Sequence, residues 1–147
     1  MQAHETDEES LRKIATGYLE SWLDGDGERM RGALHPDLAK RGLDYTTDGR
    51  PSGVHHLTAE YMERSAARGP RRQFARTCDV TVLDIADNIA SVKVVSEPFI
   101  DYLHLAKLDG QWSIVNVLYE DRKPASVDDQ PASRTDPPLS RRTLPPC

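Results

Sequence analysis

The sequence predicts an α+β domain in which three N-terminal helices pack on a curved, mostly antiparallel sheet. Three observations carry this. Apolar residues recur at helical spacing near the start of the chain, at Leu11, Ile14, Ala15, Tyr18, Leu19 and Trp22. From Phe74 onward they fall in short strand-like runs separated by turn residues. Asp109-Gly110 then divides the last two runs as a two-residue hairpin turn does.

Taken in order, the first helix opens on acidic residues between Glu5 and Glu9, the sign favoured at a helix N-terminus, and stops between Gly25 and Gly27. A short helix over 28–34 turns Met30 and Leu34 inward, and His35-Pro36 ends it. A short strand follows at 40–45. Ser52 can cap a third helix over 54–67, with Leu57, Tyr61 and Met62 toward the core, until Gly69-Pro70 breaks it. Arg71-Arg72 begins an exposed lead-in to four strands at 76–86, 89–97, 99–108 and 112–120.

The hairpins assign faces. A regular turn at Asp109-Gly110 pairs Lys107 with Trp112, Leu105 with Ile114, Leu103 with Asn116 and Asp101 with Leu118. Asp101, Leu103, Leu105, Trp112, Ile114, Asn116 and Leu118 then share the face that meets the helices. Tyr102, His104, Val115, Val117 and Tyr119 share the reverse, an apolar surface of the kind that meets another subunit. These five residues are the expected interface of a homodimer. The turn at Asp87-Asn88 pairs Ile85 with Ala90 and Leu83 with Val92 by the same rule.

Composition narrows the function classes. The chain has 147 residues and a formal charge of -5, with no electrostatic case for nucleic acid or an anionic bilayer. Six of its ten prolines lie beyond Lys123, in a segment without apolar periodicity. The division expected is a folded domain over 1–122 and a Pro-rich disordered tail over 123–147. The domain carries 21 acids against 15 Lys plus Arg, and the tail three against four, so the acidity belongs to the domain. No run is long enough to span a membrane, and the polar start does not read as a signal peptide, which points to the cytoplasm. Cys78 and Cys147 read as two free thiols. His55-His56 lacks the spacing of a metal site, and neither a metal nor a cofactor is expected.

The element order, together with Tyr18–Gly27, Leu34-His35-Pro36-Asp37, Asp101-Tyr102-Leu103-His104-Leu105 and the run from Lys107 to Asn116, resembles the nuclear transport factor 2-like superfamily. Within that cone-shaped superfamily, these segments look like its lumazine-binding branch. The resemblance covers about residues 8–121 and implies one cavity reused for unrelated purposes. Isomerases, dehydratases, polyketide cyclases and non-catalytic binding modules all occur there.

Asp101 and Asn116 are the leading site candidates. On the expected pairing they are diagonal neighbours on the inward face, where a buried acid could move a proton and an amide could orient a carbonyl. His35 could reach a cavity mouth or cap the helix before it. Tyr18, Trp22, Tyr61 and Trp112 could form aromatic walls for a planar ligand or simply fill the core. The expected function is binding of a small organic molecule. The alternatives are an isomerase, dehydratase or cyclase with Asp101 as general base, and an interaction domain whose cavity is closed by packing.

Overall fold

The structure, a computed structural model, describes residues 5–122 and 143–147. Helix α1 (Asp7–Asp24) is followed by α2 (Gly27–Ala33), strands β1 (Leu34–Tyr45) and β2 (Pro51–Leu57), and helix α3 (Ala59–Ala66). Strands β3 (Cys78–Ile85), β4 (Ile89–Ser96), β5 (Phe99–Leu108) and β6 (Gln111–Asp121) complete one six-stranded sheet of order β2-β1-β6-β5-β4-β3. The class is α+β as expected. The sheet is mixed, however, because β6 runs parallel to β1 while every other neighbour is antiparallel.

Local chemistry explains the helices. Thr6 and Glu9 form a reciprocal capping box at the start of α1, and Gly25 closes that helix in a left-handed conformation at φ 78°. Leu11, Ala15, Tyr18 and Leu19 of α1 are buried against the sheet. Asp7 ties the N-terminal end of α1 to the β5–β6 hairpin, accepting from Trp112 Nε1 at 3.0 Å and from Lys107 Nζ at 3.3 Å. Arg71 fastens the other end: it donates to the Trp22 carbonyl at 2.7 Å and lays its guanidinium 4.2 Å from the Trp22 ring. Arg71 is thus half-buried rather than a solvated lead-in.

The third helix is shorter than its sequence suggests. Residues 51–57 are β2, paired with β1, and the cap of α3 is Thr58, whose hydroxyl accepts from the Tyr61 amide. Met62 faces the core from α3, whereas Tyr61 is 43% exposed. Two sheet strands therefore intervene between α2 and α3, and only α1 and α2 precede the sheet.

Two β-bulges change the expected faces. Between β5 and β6 the pairing passes from Leu105↔Ile114 to His104↔Asn116, so Val115 is one residue too many and every later position of β6 exchanges sides. Val117 now opposes Leu103 and is 1% exposed, and Tyr119 opposes Asp101 on the inner face. Asn116 and Leu118 move to the outer face beside His104 and Tyr102. Between β3 and β4, Val82↔Val92 is followed by Asp84↔Ser91, which leaves Leu83 as the extra residue, 49% exposed. Ile85↔Ala90 pairs as expected, and Leu83↔Val92 does not.

Residues 123–142 of the expected tail lie outside the described residues. Residues 143–147 do not trail away, because Cys78 donates its amide to the Pro145 carbonyl at 2.8 Å and Pro146 bridges to Thr77. No helix among the described residues is long and apolar enough to cross a membrane.

One cross-strand row runs His55, Gly42, Tyr119, Asp101, Val94 from β2 to β4. Gly42 is required there: a Cβ at that position would stand 2.6 Å from the Tyr119 hydroxyl, so the missing side chain lets the ring lie across β1. Gly42→Ala is expected to cost about 1–3 kcal/mol through overpacking. Gly53→Ala, whose Cβ would meet Asp44 at an ordinary 3.6 Å, should stay within about 0.5 kcal/mol of the parent. Urea unfolding of both variants checks the contrast, and equal losses would refute it.

Candidate functional site

The site grows from three elements that converge on one point. Tyr18 projects from the middle of α1, Lys40 from β1 and Asp101 from β5, with β6 between the two strands. Lys40 Nζ donates to the Tyr18 hydroxyl at 2.6 Å, and that hydroxyl donates to Asp101 Oδ1 at 3.3 Å. All three are buried: Lys40 is 7% exposed, Tyr18 3% and Asp101 2%. The ammonium also lies 4.7 Å from the Tyr119 ring centre and 5.1 Å from that of Tyr18, where the faces of the rings attract a cation.

Burial decides the proton affinities. Desolvation pushes the Asp101 carboxyl up to about 6, against the opposing pull of Lys40 and the Tyr18 hydrogen bond. It draws the Lys40 ammonium down to about 8, with Asp101 resisting. The Tyr18 hydroxyl rises as well, first through burial and then through the Asp101 charge. Between about pH 6 and 8 the acid and the amine are therefore both ionised within the core.

A second set reaches this centre from the surface. His55 Nε2 meets the Tyr119 hydroxyl at 2.8 Å, and His55 Nδ1 meets Asp44 Oδ1 at 2.8 Å. In the neutral ring, Asp44 accepting from Nδ1–H leaves Nε2 to accept the Tyr119 proton. Burial pushes the Tyr119 hydroxyl up to about 12. Asp44, His55, Tyr119 and Lys40 thus form a continuous line of polar contacts from the rim of the sheet to Tyr18 and Asp101.

Aromatic rings fill the neighbouring space. Trp22 stacks on Phe74 at 5.7 Å and meets Phe99 edge-on at 5.3 Å, and Phe99 in turn meets Tyr119 at 5.3 Å. A cavity of about 390 Å³ opens beside this cluster, lined by Tyr45, Phe74, Pro98, Phe99, Asp121 and Arg122, with Gly49. Phe99 is therefore one ring from Tyr119, and Tyr119 covers Lys40.

Of the residues anticipated from sequence, Tyr18, Asp101 and Trp22 come together here. The others are elsewhere. Asn116 is on the outer face, its amide 3.1 Å from His104 Nδ1, because the Val115 bulge reverses it. His35 Nδ1 accepts the Asp37 amide at 3.0 Å at the start of β1. Trp112 binds Asp7 at the opposite end of α1 and lines a separate cleft of about 440 Å³ with Lys13, Gly17 and Arg29. Tyr61 is exposed under Arg68. Two of the five expected interface residues, Val117 and Tyr119, face inward; Tyr102 and His104 are exposed and Val115 is partly so.

Lys40, Tyr119, His55 and Asp44 escaped the sequence reading as site residues. The available signal was parity along β1, where Leu38, Lys40 and Gly42 share the buried side with a lysine in the middle. Among the described residues, no group of three or more His, Cys, Asp or Glu could hold a metal ion.

A family model described as "Putative lumazine-binding" matches residues 6–120. An NTF2-like protein of unknown function from Methylobacillus flagellatus KT superposes with a TM-score of 0.63 at 25% identity, over 82% of this chain and 95% of that one. A second NTF2-like protein of unknown function, from Silicibacter pomeroyi DSS-3, gives 0.66 at 15% identity, over 80% and 99%. A ketosteroid isomerase-like protein from Erwinia carotovora atroseptica SCRI1043 gives 0.53 at 14% identity, over 81% and 100%. The last two likenesses concern the fold alone. No curated protein matches the chain.

The charge pair yields a signed prediction. A carboxyl with a raised pKa adds stability that is present below about pH 4 and lost as pH rises through about 6. A depressed ammonium adds stability that is present above about pH 10 and lost as pH falls through about 8. Lys40→Met removes the attraction that holds Asp101 down, so the Asp101 pKa should climb above about 6 and the acid-side loss should move to higher pH. Carboxyl carbon NMR titration and urea unfolding from pH 4 to 8 read both effects. An Asp101 titration unchanged by the substitution would show that the two groups are not coupled.

Proposed function

The chain belongs to the "Putative lumazine-binding" family, and from that premise we propose that it binds a small planar organic molecule at the Trp22–Phe99–Tyr119 end of a cone formed by α1 and the sheet. The observation that carries this is the burial of Lys40 and Asp101 around the Tyr18 hydroxyl. A core built for stability alone gains little from such a pair, because desolvation offsets most of the attraction. A ligand with carbonyl and N–H edges gives the three groups a use, as acceptor and donors in a dry site. The aromatic cavity of about 390 Å³ supplies the apolar walls, and a ligand seated there reaches the three groups by displacing Phe99 and Tyr119. We assign this binding to a domain of residues 1–122, the division expected from the sequence.

Lumazine itself is the first probe, since it is fluorescent and has both kinds of edge. Fluorescence titration of the full chain should show saturable binding, weakened about tenfold or more by Asp101→Asn and by Lys40→Met. Phe99→Ala, at the cavity wall, should weaken binding without shifting the pKa of Asp101. Lumazine and native mass measurement of the protein as purified both failing to reveal a bound small molecule would overturn the reading. Equal affinity in all three variants would overturn the site.

A second reading, an isomerase, dehydratase or cyclase, is favoured by the Asp101 pKa of about 6, where a carboxyl can both take and return a proton near neutrality. Its signature is turnover of a carbonyl substrate whose rate falls by about a hundredfold or more in Asp101→Asn.

The outer face supports a homodimer. Tyr102, Leu118 and Leu83 are each close to half exposed, and His104 and Asn116 lie among them. Tyr102→Asp and Leu118→Asp should convert a dimer to a monomer in light scattering. A monomeric parent at high concentration would end the proposal.

A further inference from the structure

The carboxyl end of the chain returns to the edge of the sheet and brings its last residue to the other cysteine. Cys78 donates its amide to Pro145 at 2.8 Å, Thr77 and Pro146 form an antiparallel bridge, and Cys147 donates its amide to Arg76 at 3.4 Å. With Thr77 opposite Pro146, Cys78 stands opposite Pro145 and Cys147 opposite Arg76. Alternation along both segments then places the side chains of Cys78 and Cys147 on one face as diagonal neighbours. That face is the inner one: Cys78 is 4% exposed, and Cys147 packs on the same core cluster while remaining partly open to solvent. Both thiols are free, and each raises or lowers the proton affinity of the other.

We propose that Cys78 and Cys147 form a reversible disulfide that clasps residues 143–147 to the start of β3. The geometry supplies two thiols directed to the same side of the sheet as diagonal neighbours, and a small shift of residues 143–147 brings them to bonding distance. Burial holds both groups as thiols at neutral pH, so the docked pair resists oxidation. The way in is the terminal segment itself. Few backbone bonds hold it, and when it lifts, Cys147 meets solvent while Cys78 stays in place.

With a peroxide as oxidant, the Cys147 thiolate attacks one oxygen and breaks the O–O bond. Cys147 becomes a sulfenic acid, and the departing hydroxide takes up the thiol proton as water. Redocking brings the Cys78 sulfur onto the sulfenic sulfur, forms the S–S bond and expels a second hydroxide, protonated to water by the Cys78 proton. The two thiols lose two electrons and two protons, and one peroxide becomes two waters. A dithiol reductant reverses the change.

The clasp converts residues 79–146 into a covalently closed loop and pins residues 143–147 to the start of edge strand β3. It also anchors residues 74–77 from below, the segment that carries Phe74 to the cavity wall.

The test uses the full chain, reduced, freed of reductant and exposed to hydrogen peroxide or to a glutathione redox buffer. The expected product is a monomer 2 Da lighter, with Cys78 and Cys147 in one cross-linked peptide. Its melting temperature should be higher by about 5 °C or more, and dithiothreitol should reverse the rise. The glutathione equilibrium should favour the disulfide at least tenfold more in native buffer than in urea, because docking aligns the thiols. Cys147→Ser, at the partly exposed partner, should abolish the mass loss and the peroxide-dependent rise in melting temperature together. Adducts on Cys147 alone, a disulfide between two chains, or equal equilibria in native buffer and urea would each overturn the proposal.

Discussion

The demand that organises this molecule is the ammonium of Lys40 held away from water. A charge in that position must be met from several sides at once, since one attractive partner does not replace a hydration shell. Here the Tyr18 hydroxyl accepts its proton, the Tyr18 and Tyr119 rings present their faces, and Asp101 supplies the opposite charge from across β6. Each partner depends on a separate feature of the backbone. Tyr119 reaches the inner face only because Val115 is inserted in β6, and its ring fits only because residue 42 has no side chain. Tyr18 is placed by the helical stripe, and α1 is fixed at both ends, by Asp7 on Trp112 and by Arg71 on Trp22.

The same arrangement shows which placements could be read from sequence. Tyr18, Trp22 and Asp101 were legible because a long amphipathic helix and a strand beside a tight Asp-Gly turn follow simple periods. The order of helices and strands was legible for the same reason, apart from β2. Residues 51–57, Pro-Ser-Gly-Val-His-His-Leu, have no strong strand character of their own. They are extended because β1 pairs with them, which is a tertiary cause.

The inner half of β6 could not be read in this way. A bulge adds one residue without any mark of its own, and period-two counting past Val115 then reports each face reversed. Asn116 was expected on the inner face and lies on the outer, and Tyr119 the reverse, for that single reason. Lys40 was missed on different grounds. A lysine within a short strand reads as solvated, and its burial depends on Tyr18 and Asp101, which come from distant parts of the chain. The approach of Cys147 to Cys78 was hidden behind a proline-rich stretch that resembles a solvated tail by composition.

The position of β6 bears on how the protein comes to fold. Among the described strands it is the last made, yet it lies between β1 and β5 in the middle of the sheet. Lys40 pairs with Val117, 77 residues further along. A growing chain can assemble the β1–β2 hairpin and the β3–β4–β5 meander as separate pieces, but each keeps an unpaired inner edge until residues 111–121 leave the ribosome. The long-range parallel contact makes loop closure the slow step, and it closes the Lys40 site in the same event. The nascent protein therefore carries an open β1 edge from residue 57 onward and an open β5 edge from residue 108, and β6 removes both at once.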